Sequence, residues 1–216
     1  MNQDRIYVSE KDAFFLLADG IGGHPAGEVA AQAAVDSVAS SLYKGINLRD
    51  AVRMAHLEIL QRGREDAGRK GMGTTLVGLV IHGHNYEVAW VGDSRAYLIN
   101  QTIAPLTTDH NLAEALLAQH VISPEVAREL PGRNRLTRAL GIAKYENLEV
   151  SLVDGVLTQG DVLLLCSDGL HSLVNDDQIL SAFEMGEGLQ SAADRLVQSA
   201  LAAGGTDNVS IIAVSL

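Results

Sequence analysis

The chain has 216 residues, 47% of them hydrophobic and 20% charged, and a formal net charge of −11. That length suits one domain, or one domain with an insertion, and the apolar content is enough for a full core. The acidic balance argues against a nucleic-acid-binding surface, which needs a basic footprint, and no apolar run approaches the length of a membrane span. The polar start Met1-Asn2-Gln3-Asp4-Arg5 does not read as a signal peptide. Cys166 is the single cysteine, which excludes an internal disulfide. It closes the apolar run Val162–Cys166, so it reads as a buried thiol and fits a reducing cytoplasm.

Residues 6–9 and 13–18 read as two strands joined by a turn at Glu10-Lys11-Asp12. The second lies in Phe14-Phe15-Leu16-Leu17-Ala18-Asp19-Gly20-Ile21-Gly22-Gly23, an apolar run of the length expected for a strand buried on both faces. Asp19 is expected at its end, with Asp19-Gly20 as a turn. A helix follows from near Ala26, where Ala26, Ala30, Ala33, Ala34, Val38 and Leu42 share one face, and Gly45 stops it. A second helix fits 48–62, with Leu48, Ala51, Val52, Ala55 and Ile59 as its stripe, and 63–71 reads as a charged loop. Three strands over 74–82, 86–91 and 95–99 with short turns suggest antiparallel meanders.

The character changes over 109–135. Two short helices are expected at 111–120 and 123–130, the second with Ser123 as N-cap and Pro124 at its first position. This segment interrupts the strand pattern and reads as an inserted flap. Strands resume at 148–153 and 162–166, helices cover 176–185 and 189–203, and a last strand runs over 209–216. The order is not a strict strand-helix alternation. It favours α+β with antiparallel sheets, layered with two sheets inside and helix pairs outside.

The opening pattern recurs. Ala89-Trp90-Val91-Gly92-Asp93-Ser94 and Val162-Leu163-Leu164-Leu165-Cys166-Ser167-Asp168-Gly169 are apolar runs ending near an aspartate. Asp207 stands just before the last strand and Asp4 just before the first. If these strand ends gather at one rim, the carboxylates converge and raise each other's pKa values unless cations neutralise them. Hard oxygen ligands suit Mg²⁺ or Mn²⁺, whereas no His/Cys spacing for zinc occurs. Gly68-Arg69-Lys70-Gly71-Met72-Gly73-Thr74-Thr75 lacks the Gly-Lys-Ser/Thr ending of a phosphate loop and runs into a strand. His82 and His84 read as surface residues, and Ser167 lacks a nucleophile elbow.

Asn2-Gln3-Asp4, Asp19-Gly20-Ile21-Gly22-Gly23-His24, Gly73-Thr74-Thr75, Val91-Gly92-Asp93-Ser94-Arg95, Leu136-Thr137-Arg138-Ala139-Leu140-Gly141, Cys166-Ser167-Asp168-Gly169-Leu170 and Gly205-Thr206-Asp207-Asn208 occur in one order. In that order the chain closely resembles the compact bacterial members of the metal-dependent protein phosphatases of the 2C type. The resemblance spans nearly the whole chain, taken as one catalytic domain over 1–216. It implies a four-layer α-β-β-α sandwich of two antiparallel sheets and hydrolysis of phosphoserine and phosphothreonine in proteins by attack of a metal-bridging hydroxide. It further implies that Asp19 bridges two Mn²⁺ or Mg²⁺ ions and Gly20 adds its carbonyl. Asp168 and Asp207 would hold the first ion, Asp4 the second, and Asp93 with Asp168 a weaker third. The segment 109–135 would be the flap beside the site. Phosphorylated proteins are the implied substrates, with a bacterial serine/threonine kinase or its targets as partners. His24 is a candidate general acid or substrate contact, in place of the histidine that some eukaryotic relatives carry where this chain has Ile21.

The resemblance fails at one point. The family's phosphate-binding arginine lies on a first strand before the Asn-Gln-Asp motif, and this sequence starts at Met1-Asn2. Either the sequence is shortened, or phosphate relies on the metals and another arginine, with Arg133 or Arg138 as candidates; Arg5 follows the motif instead and, as a strand residue, need not face the cleft. The same gap motivates an alternative: a catalytically impaired regulatory or phosphoprotein-binding module that keeps the fold. A third reading is a Mg²⁺-dependent phosphohydrolase acting on small metabolites.

Overall fold

The apolar run that starts at Phe14 forms an interior strand that contributes side chains to two layers of the core. In the computed structural model, which describes residues 2–22, 25–66, 70–142, 148–184, 186 and 188–216, this strand is β2 (Phe14–Ile21), preceded by β1 (Asp4–Ser9). There follow α1 (Pro25–Tyr43), α2 (Leu48–Glu65), β3 (Gly73–Thr74), β4 (Leu76–His82), β5 (Asn85–Val91), β6 (Arg95–Ile99) and β7 (Ile103–Pro105). The second half contains α3 (Leu112–Ala118), α4 (Pro124–Glu129), β8 (Ser151–Val156), β9 (Val162–Cys166), α5 (Asp168–His171), α6 (Asp176–Glu184), α7 (Leu189–Ala202) and β10 (Ile211–Ser215). No helix among the described residues is long and apolar enough to cross a membrane.

Two antiparallel sheets result. One runs β1-β2-β4-β5-β8, with β3 on the end of β2; the other runs β10-β9-β6-β7. Strand alternation divides the core into three apolar layers. Phe14, Leu16 and Ala18 of β2 face α1 and α2, meeting Ala30, Ala34, Val38, Val52 and Ile59. Phe15 and Leu17 face the other way, into a layer between the sheets with Val77, Leu79, Leu163 and Leu165. Leu164 and Cys166 of β9 point outward to Leu170, Ile179 and Leu196 beneath α5, α6 and α7. This is the four-layer α-β-β-α sandwich that the resemblance implies, and its fold class is α+β.

Several local expectations change. Asp19 and Gly20 are strand residues, paired to Asp4 on one side and, at Gly20, to Thr74 on the other. Pairing on both sides holds the backbone extended past the Asp-Gly dipeptide, and the left-handed conformation falls later, at Gly22 (φ 111°). The three strands predicted as a meander divide between the sheets: β4 pairs with β5, but β6 pairs with β7 and β9. The break is Gly92-Asp93-Ser94, where Gly92 has φ 111° and a Cβ would sit 2.6 Å from the Thr75 side chain. Only glycine permits both the conformation and the approach. Thr75 separates β3 from β4, dividing the single strand expected there.

The second helix runs three residues past its expected end, through Gly63. Glycine in a helix costs about 1 kcal/mol, and the Arg62–Glu58 ion pair and the Gln61–Glu65 hydrogen bond (2.8 Å) on its exposed side offset part of it. The strand expected at 148–153 lies at Ser151–Val156 instead, with Leu148 and Val150 buried against the first helical layer outside any strand. β7 and α5 are too short to leave a periodic signal. Gly68, Arg69 and Met185, which fell in predicted segments, lie outside the described residues.

β1 is an edge strand. Its Ile6 and Val8 face the inter-sheet side, opposite Leu17 and Phe15, yet are 52% and 46% exposed because the second sheet does not reach across them. Leu16, on the other face of the neighbouring strand β2, is fully buried. In urea denaturation, Leu16→Ala is expected to lower stability by about 2–5 kcal/mol. Ile6→Ala is expected to lower it by less than about 1 kcal/mol.

Candidate active site

Register across β1 and β2 sets Asp4 directly opposite Asp19. Alternation turns Asp19 to the face of Phe15 and Leu17, toward the space between the sheets, and its cross-strand partner Asp4 shares that face. Arg5, one residue on, points to the other face. There Nε donates to Gln32 Oε1 at 2.9 Å and Nη1 to the Asp4 carbonyl at 2.7 Å, and Nη2 pairs with Glu28. The one-residue alternation that aims Asp4 into the cleft therefore aims Arg5 at α1, and Arg5 is not free to clamp a phosphate.

The second sheet approaches from the opposite side. β9 ends at Cys166, and Ser167-Asp168 opens the short turn α5. Ser167 Oγ donates to Asp4 Oδ2 at 2.9 Å and accepts from the Ser210 N–H at 3.0 Å, so one hydroxyl joins the two sheets at the site. A Cβ at Gly169 would stand 2.0 Å from the Asn208 carbonyl oxygen. Glycine there lets the Asp168 turn lie against the loop that carries Asp207. Asn208 Oδ1 in turn accepts from the Gln3 N–H at 2.8 Å, tying that loop to the entry of β1.

The backbone of Asp19 is held by the Gly73-Thr74-Thr75 segment. Its N–H donates to Thr75 Oγ1 at 3.1 Å; its carbonyl accepts from the Thr75 N–H and from Thr74 Oγ1, both at 2.8 Å. Thr75 Oγ1 also shares a 2.7 Å hydrogen bond with Ser94 Oγ, linking Asp19 to the crossing that carries Asp93. Gly92 of that crossing donates its N–H to His110 Nδ1 at 3.1 Å, and His110 Nε2 pairs with Ser151 Oγ at 3.0 Å while its ring stacks on Trp90. His171 Nε2 lies 2.9 Å from the Asp93 carbonyl oxygen. Burial keeps both imidazoles neutral, with pKa values pushed down to about 4.

The five predicted aspartate ligands lie close enough for their charges to act within the group. Burial first, then the charges of Asp4 and Asp168, push Asp19 up to about 9. Asp93 rises to about 7 through burial and the charges of Asp168 and Asp109. Asp4 and Asp168 are also raised, by burial first, with the charge of Asp207 acting on both. Hydrogen bonding to the Asp19 carboxyl acts in the opposite sense on both Asp4 and Asp168, which places Asp19 beside each of them. Asp207 is exposed and Gly20 is buried in β2.

This donor set suits hard divalent cations. The groups are carboxylates, they resist being charged together, and Asp168 Oδ1 is buried without a hydrogen-bond partner among the described residues. As they stand, no three His, Cys, Asp or Glu among the described residues enclose an ion. Mg²⁺-like ions keep most of their waters and need only one or two carboxylates each. His24 lies outside the described residues.

Beside the carboxylates the chain leaves the sheets over 109–135. The ends of this excursion are stitched together by Leu112 N–H to Arg135 O (2.9 Å) and Thr137 N–H to His110 O (2.7 Å). Its base is fixed by a bidentate pair, Arg95 Nε and Nη2 on the Asp109 oxygens at 2.8 and 2.9 Å. A cavity of about 360 Å³ separates α3 and α4 from Asp93, with Arg95, Arg128 and Arg133 on its walls. Arg138 instead pairs with Glu149 at 3.3 Å.

Sequence reasoning quoted Thr75, Ser94 and Ser167 inside motifs without giving them a role. It passed over His110 and His171, since a single histidine in a polar stretch carries no periodic or spacing signal.

The raised carboxyl pKa values set a sign for stability. A carboxyl whose folded pKa lies above its unfolded value binds more protons when folded, so its contribution is lost as pH rises. Without metal the protein is expected to lose stability as pH climbs from about 4, through about 7 at Asp93, to about 9 at Asp19. Thermal melts in EDTA across that window should show the fall, and added Mn²⁺ should raise the melting temperature most at the alkaline end.

Comparison with known proteins gives this arrangement a family. The profile of the family described as Protein phosphatase 2C matches residues 1–203. The serine/threonine protein phosphatase PstP of Mycobacterium tuberculosis is 35% identical over 221 residues, covering 98% of this chain but 41% of that protein. The chain thus spans less than half the length of that relative. The serine/threonine phosphatase stp of Listeria welshimeri is 35% identical over 211 residues, 92% of this chain and 82% of that one. Among solved structures, the catalytic domain of the serine threonine protein phosphatase PstP in complex with two manganese ions superposes with a TM-score of 0.86. It shows 33% identity and covers 100% of this chain and 91% of that one. The chain belongs to the protein phosphatase 2C family.

Proposed function

We propose that the chain is a metal-dependent serine/threonine protein phosphatase, working with Mn²⁺ or Mg²⁺ on phosphoserine and phosphothreonine in proteins. The observation that carries this reading is the convergence of buried carboxyls at the junction of the two sheets, with Asp4 opposite Asp19 in the ladder and the Ser167-Asp168 turn hydrogen-bonded to Asp4. Asp19 would be shared by two ions, with the Gly20 carbonyl beside it; Asp168 and Asp207 would hold the first ion, Asp4 would serve the second, and Asp93 with Asp168 would hold a weaker third. When bound, the ions supply Lewis acidity: they make a water nucleophilic at neutral pH and offset charge on the phosphoryl oxygens.

The chain's own groups position and protonate. Ser167 keeps the Asp4 carboxylate turned into the cleft, and Thr74 and Thr75 hold the N–H and the carbonyl of Asp19. His24 is our candidate for the proton that the serine or threonine oxygen takes as it leaves. We take residues 1–216 as one catalytic domain, with 109–135 as a flap against which the phosphoprotein lies. A bacterial serine/threonine kinase, or the proteins it modifies, supplies the substrates, and the lone buried Cys166 accords with a cytoplasmic setting. The relatives above are named as phosphatases, which lends no support to the impaired-module alternative.

Mn²⁺-dependent release of phosphate from a phosphothreonine peptide is expected to stop on addition of EDTA, and undiminished turnover under chelation would overturn the reading. His24→Gln is expected to lower kcat about 10²-fold or more on that peptide. The same variant should hydrolyse p-nitrophenyl phosphate nearly as the parent does, because that leaving group needs no proton. Equal losses on both substrates would remove His24 from the acid role.

A further inference from the structure

Asp93 and Asp168 stand at the ends of neighbouring strands. β6 and β9 are antiparallel, and their last paired residues at this end are Arg95 and Cys166. Asp93 lies two residues before Arg95 and Asp168 two residues after Cys166, so both extend beyond the ladder on the same side. No strand hydrogen bond sets their separation, and their like charges push them apart. A different contact spans that gap. His171 ends the α5 turn that Asp168 begins, three residues on, and its Nε2 lies 2.9 Å from the Asp93 carbonyl oxygen. A carbonyl only accepts, so this nitrogen carries the proton. The turn itself is closed by Ser172 N–H to Asp168 O at 2.9 Å, which makes Asp168 and His171 parts of one short rigid unit.

We propose that His171 is a positioning residue of the metal centre: its Nε2–H stands in for the missing ladder bond, tying the Asp93 backbone to the turn that carries Asp168 and fixing the spacing at which the two carboxylates share an ion. The proposal rests on the phosphatase reading above, in which these two aspartates form the weaker site. His110 holds the preceding residue, Gly92, from the flap side. The crossing is therefore gripped between the neck of the flap and the turn after β9. In this role His171 acts through Asp93.

The test compares His171→Leu, which fills the space without a donor, with His171→Gln, whose amide N–H reaches the Nε2 position. Mn²⁺ binding is followed by calorimetric titration and by the electron paramagnetic resonance signal of free Mn²⁺. His171→Leu is expected to weaken the weakest-bound ion by about 10–100-fold, the range for losing a group that orients a metal ligand. The tighter ions and the melting temperature in EDTA should stay near the parent values, and His171→Gln should restore most of the lost affinity. Unchanged weak-site affinity in His171→Leu, or equal losses in the two variants, overturns the proposal. Nitrogen-15 shifts of the parent imidazole give a readout that needs no variant: a protonated Nε2 supports the role, and a proton on Nδ1 alone overturns it. A parent that hydrolyses phosphopeptide with Mn²⁺ while His171→Leu titrates unchanged removes only the role of His171. A parent that binds no Mn²⁺ removes the phosphatase reading and this proposal with it.

Discussion

The constraint on which this structure turns is the repulsion among carboxylates held where two sheets meet. Two unit charges about 4 Å apart repel by about 4 kcal/mol at an effective dielectric near 20. Asp4 and Asp19 are direct cross-strand partners, and Asp168 reaches them from the second sheet. A chain free to relax would separate them. Here each is anchored through its backbone: Asp4 and Asp19 by ladder register, Asp168 by the turn after β9. The three apolar layers supply the stability that offsets this local strain, and the remaining choices are protonation or a cation.

The anchoring uses small groups. Thr74, Thr75 and Ser167 are short, and each hydroxyl donates to or accepts from a backbone or carboxylate atom of the cluster, while Ser94 steadies the Thr75 hydroxyl. Such side chains lose little rotamer freedom on ordering, so the geometry is held at modest entropic cost. Gly169 and Gly92 act by lacking a Cβ, letting backbone segments from different sheets touch. The site is thus a junction of two sheets rather than a feature of either one. The crossing at 92–94 passes the chain between the sheets at the point where the carboxylates gather.

The flap and the exposed edge show what lies outside that junction. The excursion over 109–135 closes on itself at its neck and is pinned by the Arg95–Asp109 pair, so its base shares a residue neighbourhood with Asp93 while its helices stand clear of the core. At the side, Ile6 and Val8 follow the inward-facing alternation of β1 but find no second sheet above them. Their exposure follows from the unequal width of the two sheets rather than from any polar design of the strand.

Much of the architecture was written in local pattern. The doubly buried run at Phe14, the helical stripes of α1 and α2, the exact extent of β6 and β9 and the cap Ser123 all follow from periodicity and capping chemistry, which are properties of neighbouring residues. The ordered aspartate motifs likewise marked Asp4, Asp19, Asp93, Asp168 and Asp207 as a set. What the sequence could not decide was pairing. Whether β5 and β6 form a hairpin or separate into different sheets, whether Asp19-Gly20 turns or stays in a strand, and which way Arg5 points depend on partners distant in the chain. The same holds for His110 and His171, whose meaning comes only from the backbone atoms that folding brings within 3.1 Å. Sequence alone determined the elements and the charged groups; tertiary structure decided which of them meet, because strand register and sheet choice are set by long-range burial that no local window contains.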